Sequence, residues 1–215
     1  MAQDLVLTCE LLLSAYASGI FPMSESRDNP EVFWVDPQMR GVIPLDKFRM
    51  SRSLVRTIRR GHFTITLNQA FVDVVKGCAD RDETWINQTI FNLYQVLHAR
   101  GDAQSIEVWQ DGMLVGGAYG VTIGGAFFGE SMFSTATDAS KVALAYLVDH
   151  LRRCGFTLLD TQFITPHLAS LGAIEITRSS YHLALQASIK QSANFRQTLT
   201  IPAAYEVIQR NAQTS

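Results

Sequence analysis

A mixed α+β sheet with helices on its faces is the fold that the sequence predicts. Three observations predict it. Residues 104–133 read QSIEVWQDGMLVGGAYGVTIGGAFFGESMF, three strand-like runs separated by Asp111-Gly112 and Gly124-Gly125. A strand and two helical stretches precede this meander, and a long helix and a short apolar strand follow it. Strands and helices interleaved in this way bury their apolar faces by packing the helices on one sheet.

From the N-terminus, Thr8 caps a short helix to residue 18, with Leu11, Leu12, Ala15 and Tyr16 inward and Gly19 as a left-handed stop. Pro22, Pro30, Pro37 and Pro44 crowd the next stretch, which argues against a long helix or a central strand there. Phe21, Phe33 and Trp34 are expected to anchor a small loop-rich subdomain in it. Ser51 caps a helix closed by Gly61. Phe63, Ile65 and Leu67 then alternate with threonines as a strand, and Asn68 caps a helix to residue 76. After a polar turn, a helix to Arg100 buries Ile90, Leu93, Tyr94 and Leu97 and stops at Gly101.

In the meander, Ile106 and Val108 alternate with Glu107 and Trp109, a period of two that fits a strand with one buried face. Asp111-Gly112 is a strong two-residue hairpin signal, because both positions must tolerate positive φ. Thr137 or Asp138 caps the long helix to residue 153, with Ala143, Leu144, Leu147 and Leu151 inward and Gly155 as its stop. Residues 157–161 and 174–177 read as strands, and the polar tail after Pro202 is expected to fray.

This order matches the N-acyltransferase (GNAT-like) fold of acetyl-coenzyme A enzymes. The expected division is a small N-terminal domain with a basic helix over 1–61 and an acyltransferase-type domain over 62–215. Enzymes of that fold usually hold pyrophosphate on a glycine-rich loop where the third meander strand enters its helix. Here residues 134–141 read STATDASK, without glycine, so coenzyme A is not expected.

The totals exclude several classes. With 47% apolar and 18% charged residues in 215, the composition is that of an ordinary globular chain. A net charge of −2 means that a nucleic-acid partner must meet a local patch. Cys9, Cys78 and Cys154 are odd in number, widely spaced and without CxxC, which argues for a reducing cytoplasm. The N-terminus has no basic n-region, and no apolar run nears the roughly 20 residues that span a bilayer. A cytoplasmic protein without a membrane partner is the expectation.

Two local anomalies point to ligands. Seven of the 14 glycines fall between Gly112 and Gly129, and Gly116, Gly117, Gly120 and Gly129 sit inside strands. Such glycines mark bulges or close packing, or a strand face cleared for a ligand. The cluster ends at Glu130, between Gly129 and Ser131, and favours the second. Residues 40–60 hold seven cations against Asp46 alone. On the helix there, Arg52, Arg56, Arg59 and Arg60 share one side and Leu54, Val55 and Ile58 the other. A solvated face usually intersperses acids among its cations, so the pattern points to a nucleic-acid backbone.

The five histidines show no HExxH or paired spacing, so no metal is expected, and neither GxSxG nor GxxxxGK occurs. Glu130 ends the third meander strand, while Asp160 and Gln162 end the strand after the long helix, on one face by alternation. Neighbouring strands would bring the three to one mouth. That cluster reads equally as an active site or as a structural hydrogen-bond tie.

The series SGIFPM, FWVDPQMRGVIPL, TWI, HARGDAQSIEVW, LVGGAYGV, GESMFS, ASKVAL, LDTQ and HLASLGA, in this order and spacing, resembles leucyl/phenylalanyl-tRNA–protein transferase from about Tyr16 to Tyr181. The resemblance implies transfer of leucine or phenylalanine (methionine as a third donor) from aminoacyl-tRNA to the α-amine of a protein beginning with Arg or Lys, marking it for degradation. It implies no cofactor, a monomer, and a shortened N-terminal domain, because the leader before Leu5 is shorter than in many members. It assigns Asp160 and Gln162 to the attacking amine, Trp85 to stacking on the terminal adenine, and Phe127, Met132, Leu144, Leu147 and Leu159 to the side-chain pocket. Gly129 and Ser131, flanking Glu130, join the substrate-binding set, and Arg52, Arg56, Arg59 and Arg60 would grip tRNA phosphates. The amine has a reference pKa of about 7.7–8.0, so positioning can supply most of the rate. On this view Asp160 orients Gln162, Gln162 aims the amine, and Glu130 holds cationic groups. The alternatives are a coenzyme A-dependent N-acetyltransferase and a tRNA-binding module without catalysis.

Overall fold

A computed structural model describes residues 7–29, 31–197 and 200–213. The expectation about the leader before Leu5 lies outside these residues. In chain order the elements are α1 (Cys9–Ala17), β1 (Phe21–Met23), β2 (Phe33–Val35), β3 (Met39–Val42), α2 (Arg52–Arg60), β4 (Thr64–Leu67), α3 (Phe71–Ala79), α4 (Gln88–Arg100), β5 (Ala103–Gln110), β6 (Met113–Ile123) and β7 (Ala126–Ser134). They continue with α5 (Ala139–Arg153), β8 (Leu158–Gln162), α6 (Pro166–Ser170), β9 (Ile174–Thr177), α7 (Arg178–Ser188) and α8 (Ala204–Ala212).

Seven strands form one mixed sheet in the order β4-β5-β6-β7-β8-β3-β9. Neighbours are antiparallel except β7 and β8, which run parallel because α5 carries the chain back between them. The meander turns as its sequence requires, with φ of 51° at Asp111, 76° at Gly112 and 53° at Gly124. The sheet has a core on each face. α5 packs over Val115, Ala118, Phe127 and Leu159. On the other face, α1, α3 and α4 cover Tyr119, Val121 and Phe128. α2 and α8 lie beside α5.

Several expectations are corrected. The proline-rich stretch does contribute an inner strand, because β3 is only four residues long and Pro37 and Pro44 flank it rather than interrupt its ladder. A boundary at residue 61 therefore assigns β3 to a different segment from the two strands it bonds. Phe33 and Trp34 are exposed on the β1–β2 ribbon and anchor nothing, whereas Phe21 is buried. Asn68 does not cap α3. Its φ is 58°, and its side chain accepts from Ser105 N and donates to Gln104 Oε1. β5 is covered on both faces, so Glu107 is buried, with Thr66 and Ser105 hydroxyls donating to its carboxylate. Asp138 precedes α5 with φ 67° and makes no side-chain cap.

Of the tail after Pro202, Ala204–Ala212 is helical, not frayed. Glu206 accepts from the Ala203 amide at its start, Val207 and Asn211 are buried, and Arg210 donates to Asp149 of α5. Most of the strand glycines serve packing rather than a ligand. A Cβ on Gly116 would lie 2.7 Å from Ala139 Cβ of α5, one on Gly117 2.7 Å from Ile106 O, and one on Gly120 2.3 Å from Phe128 O. Of the four, Gly129 is the one that lines a cavity.

Candidate active site

The hydrogen bonding of β7 to β8 ends at Phe128↔Asp160, although β7 runs on to Ser134 and β8 to Gln162. A cavity of about 330 Å³ opens where the pairing stops. β7 lines it with Phe127, Gly129, Glu130, Ser131 and Met132, and β8 with Leu159 and Thr161. Leu144 and Leu147 reach it from α5, one helical turn apart, and Ala118 and Tyr119 from β6. Trp85 and Arg81 stand at it from the segment between α3 and α4. Every expected substrate-binding residue of the meander, α5, β8 and Trp85 thus meets at one cavity. Trp85 is half-buried there.

Glu130 is aimed by a bulge. β6 and β7 pair Tyr119↔Ser131 and then Gly120↔Gly129, which leaves Glu130 as the extra residue. Such a residue leaves the ladder and turns its side chain. Its carboxylate is buried and accepts from Tyr16 OH at 2.6 Å, Tyr94 OH at 2.8 Å and Gln162 Nε2 at 3.3 Å. Burial pushes its pKa up to about 7, against the pull of these three donors.

Asp160 is not at the mouth. It is 0% exposed and absent from the cavity lining. Arg40, 1% exposed, clamps it in a fork, Nε to Oδ1 at 2.9 Å and Nη2 to Oδ2 at 2.6 Å. Tyr181 OH donates to Oδ2 at 2.7 Å and the Gln162 amide to Oδ1 at 2.8 Å. The guanidinium lies 4.4 Å from the centroids of both Phe21 and Tyr181 and donates to Gly19 O. With its acceptor capacity taken, Asp160 can orient but is poorly placed to receive a proton. Gln162 joins the two carboxylates, by its amide to Asp160 and by its side chain to Glu130. It does so through a left-handed turn (φ 63°), not through strand alternation. The three polar residues converge, but only Glu130 borders the cavity.

Sequence reasoning missed Arg40, Tyr16, Tyr94 and Tyr181 as site residues. Arg40 lies in a stretch whose prolines argue for loop. The tyrosines had a signal, since a phenol at an inward helical position needs a partner for its hydroxyl. Arg52, Arg56, Arg59 and Arg60 are all exposed on α2 and form no ion pair among the described residues. α2 buries Leu54 and Ile58, and Thr57 Oγ1 donates to Asp138 Oδ2 at 3.2 Å, which ties the ridge to the start of α5. A second cleft of about 530 Å³, lined by Ser134, Thr135 and Ser140, lies at that end of α5 and shares Arg81, Met132 and His167 with the cavity. No helix among the described residues is long and apolar enough to cross a membrane.

The family model described as leucyl/phenylalanyl-tRNA protein transferase matches residues 42–186, and the model of that family's N-terminal domain matches residues 6–38. The chain is 61% identical over 209 residues to the leucyl/phenylalanyl-tRNA–protein transferase of Cereibacter sphaeroides (strain ATCC 17025 / ATH 2.4.3), covering 97% of this chain and 98% of the relative. It is 58% identical over 211 residues to that of Ruegeria sp. (strain TM1040), covering 98% and 100%. Among solved structures, FemX superposes with a TM-score of 0.49 and 14% identity, over 81% of this chain and 70% of FemX.

Proposed function

The chain belongs to the leucyl/phenylalanyl-tRNA–protein transferase family and is an aminoacyltransferase, and we propose that it passes leucine, phenylalanine or methionine from aminoacyl-tRNA to proteins that begin with Arg or Lys. The product is a lengthened N-terminus that marks the protein for degradation in the cytoplasm. The observation that carries this reading is the cavity at the parting of β7 and β8, apolar on the α5 side and acidic at Glu130. At about 330 Å³ it is at the small end of ligand pockets. That suits one unbranched-Cβ side chain with its ester and leaves little room for coenzyme A. Met132, an adaptable thioether, can pack against either leucine or phenylalanine. Trp85 stacks on the terminal adenine, an interaction worth about 1–3 kcal/mol.

In the transfer step, the neutral α-amine attacks the ester carbonyl carbon. A C–N bond forms, the ester C–O bond breaks, the ribose oxygen leaves with the electron pair and takes up a proton, and the nitrogen gives one up. Gln162, its backbone held by the Asp160 that Arg40 clamps, aims the amine through the Glu130 carboxylate to which it donates, and Glu130 attracts cationic groups of the substrates. The defining experiment incubates the protein with labelled Leu-tRNA and a peptide beginning with Arg. A labelled peptide longer by one residue is expected. Acetyl transfer from acetyl-coenzyme A instead, or tRNA binding with no transfer, would replace this reading by one of its alternatives.

The exposed α2 arginines grip tRNA phosphates without reading bases. Each phosphate left without its arginine lowers the steepness of log K against log salt by about 0.7–0.9. Arg52→Ala/Arg56→Ala is therefore expected to reduce the steepness for tRNA by about 1.5. Filter binding between low and moderate salt checks this, and a slope equal to wild type excludes the ridge.

A further inference from the structure

Beyond the residues assigned above, and resting on the proposed aminoacyl transfer, we propose that Tyr119 donates its phenolic hydrogen bond to the acyl oxygen of the bound aminoacyl ester. Tyr119 lines the cavity, is 0% exposed, and its hydroxyl has no hydrogen-bond partner among the described residues. A buried hydroxyl without a partner is unfavourable to the folded state, and native proteins rarely keep one without use. Its ring is held edge-on by Phe71 and Tyr94, with centroids at 5.8 Å and 5.3 Å, so the hydroxyl is fixed without a bond of its own.

Several neighbouring donors are already engaged. Tyr16, Tyr94 and Gln162 donate to Glu130, and Arg81 donates to Met132 O and Ser131 Oγ. Thr161 Oγ1 and His167 Nε2 also line the cavity unpartnered, but their residues are half-buried. All three polar atoms are buried, and Tyr119 is the one of the three whose whole residue is buried as well. Burial and nearby acidic groups raise its pKa well above the usual phenol value, so it stays a donor. Of the reacting groups, the attacking amine carries N–H donors and needs an acceptor, which Glu130 supplies. The acyl oxygen needs a donor, because the π electrons of the carbonyl move onto it as the amine adds and return as the ribose oxygen leaves. A donor fixed before the reaction stabilises that transient charge.

The test is Tyr119→Phe, which removes only the hydroxyl, assayed with leucyl-adenosine as donor and a peptide beginning with Arg. Expected are a fall in kcat of about 100-fold, the scale of losing one such donor, a KM for the donor within about threefold of wild type, and a melting temperature equal to or above wild type. A variant carrying 3-fluorotyrosine, which keeps the donor, is expected to retain the wild-type rate. A Phe variant with wild-type kcat, a melting temperature several degrees lower, or a fluorotyrosine variant as slow as Phe would each overturn the assignment. Absence of transfer by the wild-type protein would instead overturn the reading beneath it.

Discussion

Asp160→Leu is expected to destabilise the protein by about 3–5 kcal/mol, the usual scale for leaving a buried partner charge uncompensated. Arg40→Met is expected to do the same from the other side. The reason is geometric. Arg40 and Asp160 are 1% and 0% exposed, so neither has water to turn to when the other is removed. The flanking Phe21 and Tyr181 rings give the guanidinium a partial substitute, which makes Arg40 the better tolerated orphan. Combining the two substitutions should recover most of the loss, because an apolar pair of similar volume replaces two desolvated charges. Urea unfolding of the two single variants and the double variant at pH 7 measures the coupling. Simple addition of the single effects would show that the fork contributes nothing as a pair.

The folded double variant also separates stability from function. It lacks the acceptor for the Gln162 amide, which holds a left-handed conformation unusual for glutamine. Released from that bond, Gln162 should relax toward ordinary φ and draw its side chain away from Glu130. Transfer is then expected to fall although the protein is folded. Rates near wild type would mean that Gln162 is positioned by something other than Asp160.

Local pattern in the sequence reached those cavity-lining residues that lie within single elements. Leu144 and Leu147 are spaced to share a helix face, so the cavity's apolar wall on α5 was legible directly. Arg40 was not, because its significance comes from β3 pairing with strands more than a hundred residues later. The direction of Glu130 was equally hidden. It depends on which residue of β7 is left over in the pairing with β6, and a one-residue change of register would turn it away. The strand glycines misled for a related reason. What a glycine makes room for is decided by the neighbouring element, here α5 at Gly116.

Glu130→Gln is expected to stabilise the protein above neutral pH by about 3 kcal/mol and to leave it nearly unchanged near pH 4.5. Burial carries the Glu130 pKa from 4.5 to about 7, and each tenfold change in proton affinity corresponds to about 1.4 kcal/mol. Below pH 4.5 the carboxyl is protonated folded or unfolded, and the full benefit of keeping the proton is present. Between 4.5 and 7 the unfolded chain releases its proton while the folded one keeps it, so folding stability falls as pH rises. Above about 7 both are ionised and the loss is complete. The groups facing Glu130 are Tyr16 of α1, Tyr94 of α4, Tyr119 of β6, Asp160 and Gln162 of β8, and Arg40 of β3. A glutamine can meet them without a clash of donors. Its oxygen replaces Oε2 for Tyr94 and Gln162, while its amide donates to Tyr16, whose own proton turns to Tyr94, 2.8 Å away. Urea unfolding at pH 5 and pH 8 reads the difference, and a gap that does not widen with pH would show that Glu130 is not held near neutrality. The same ionisation should appear in catalysis. If the Glu130 carboxylate attracts the substrate's cationic groups, wild-type kcat/KM rises through pH 7 and again as the acceptor amine loses its proton near pH 8. Glu130→Gln should retain only the second rise, at a lower rate throughout, so the substitution expected to steady the fold is also the one expected to slow transfer.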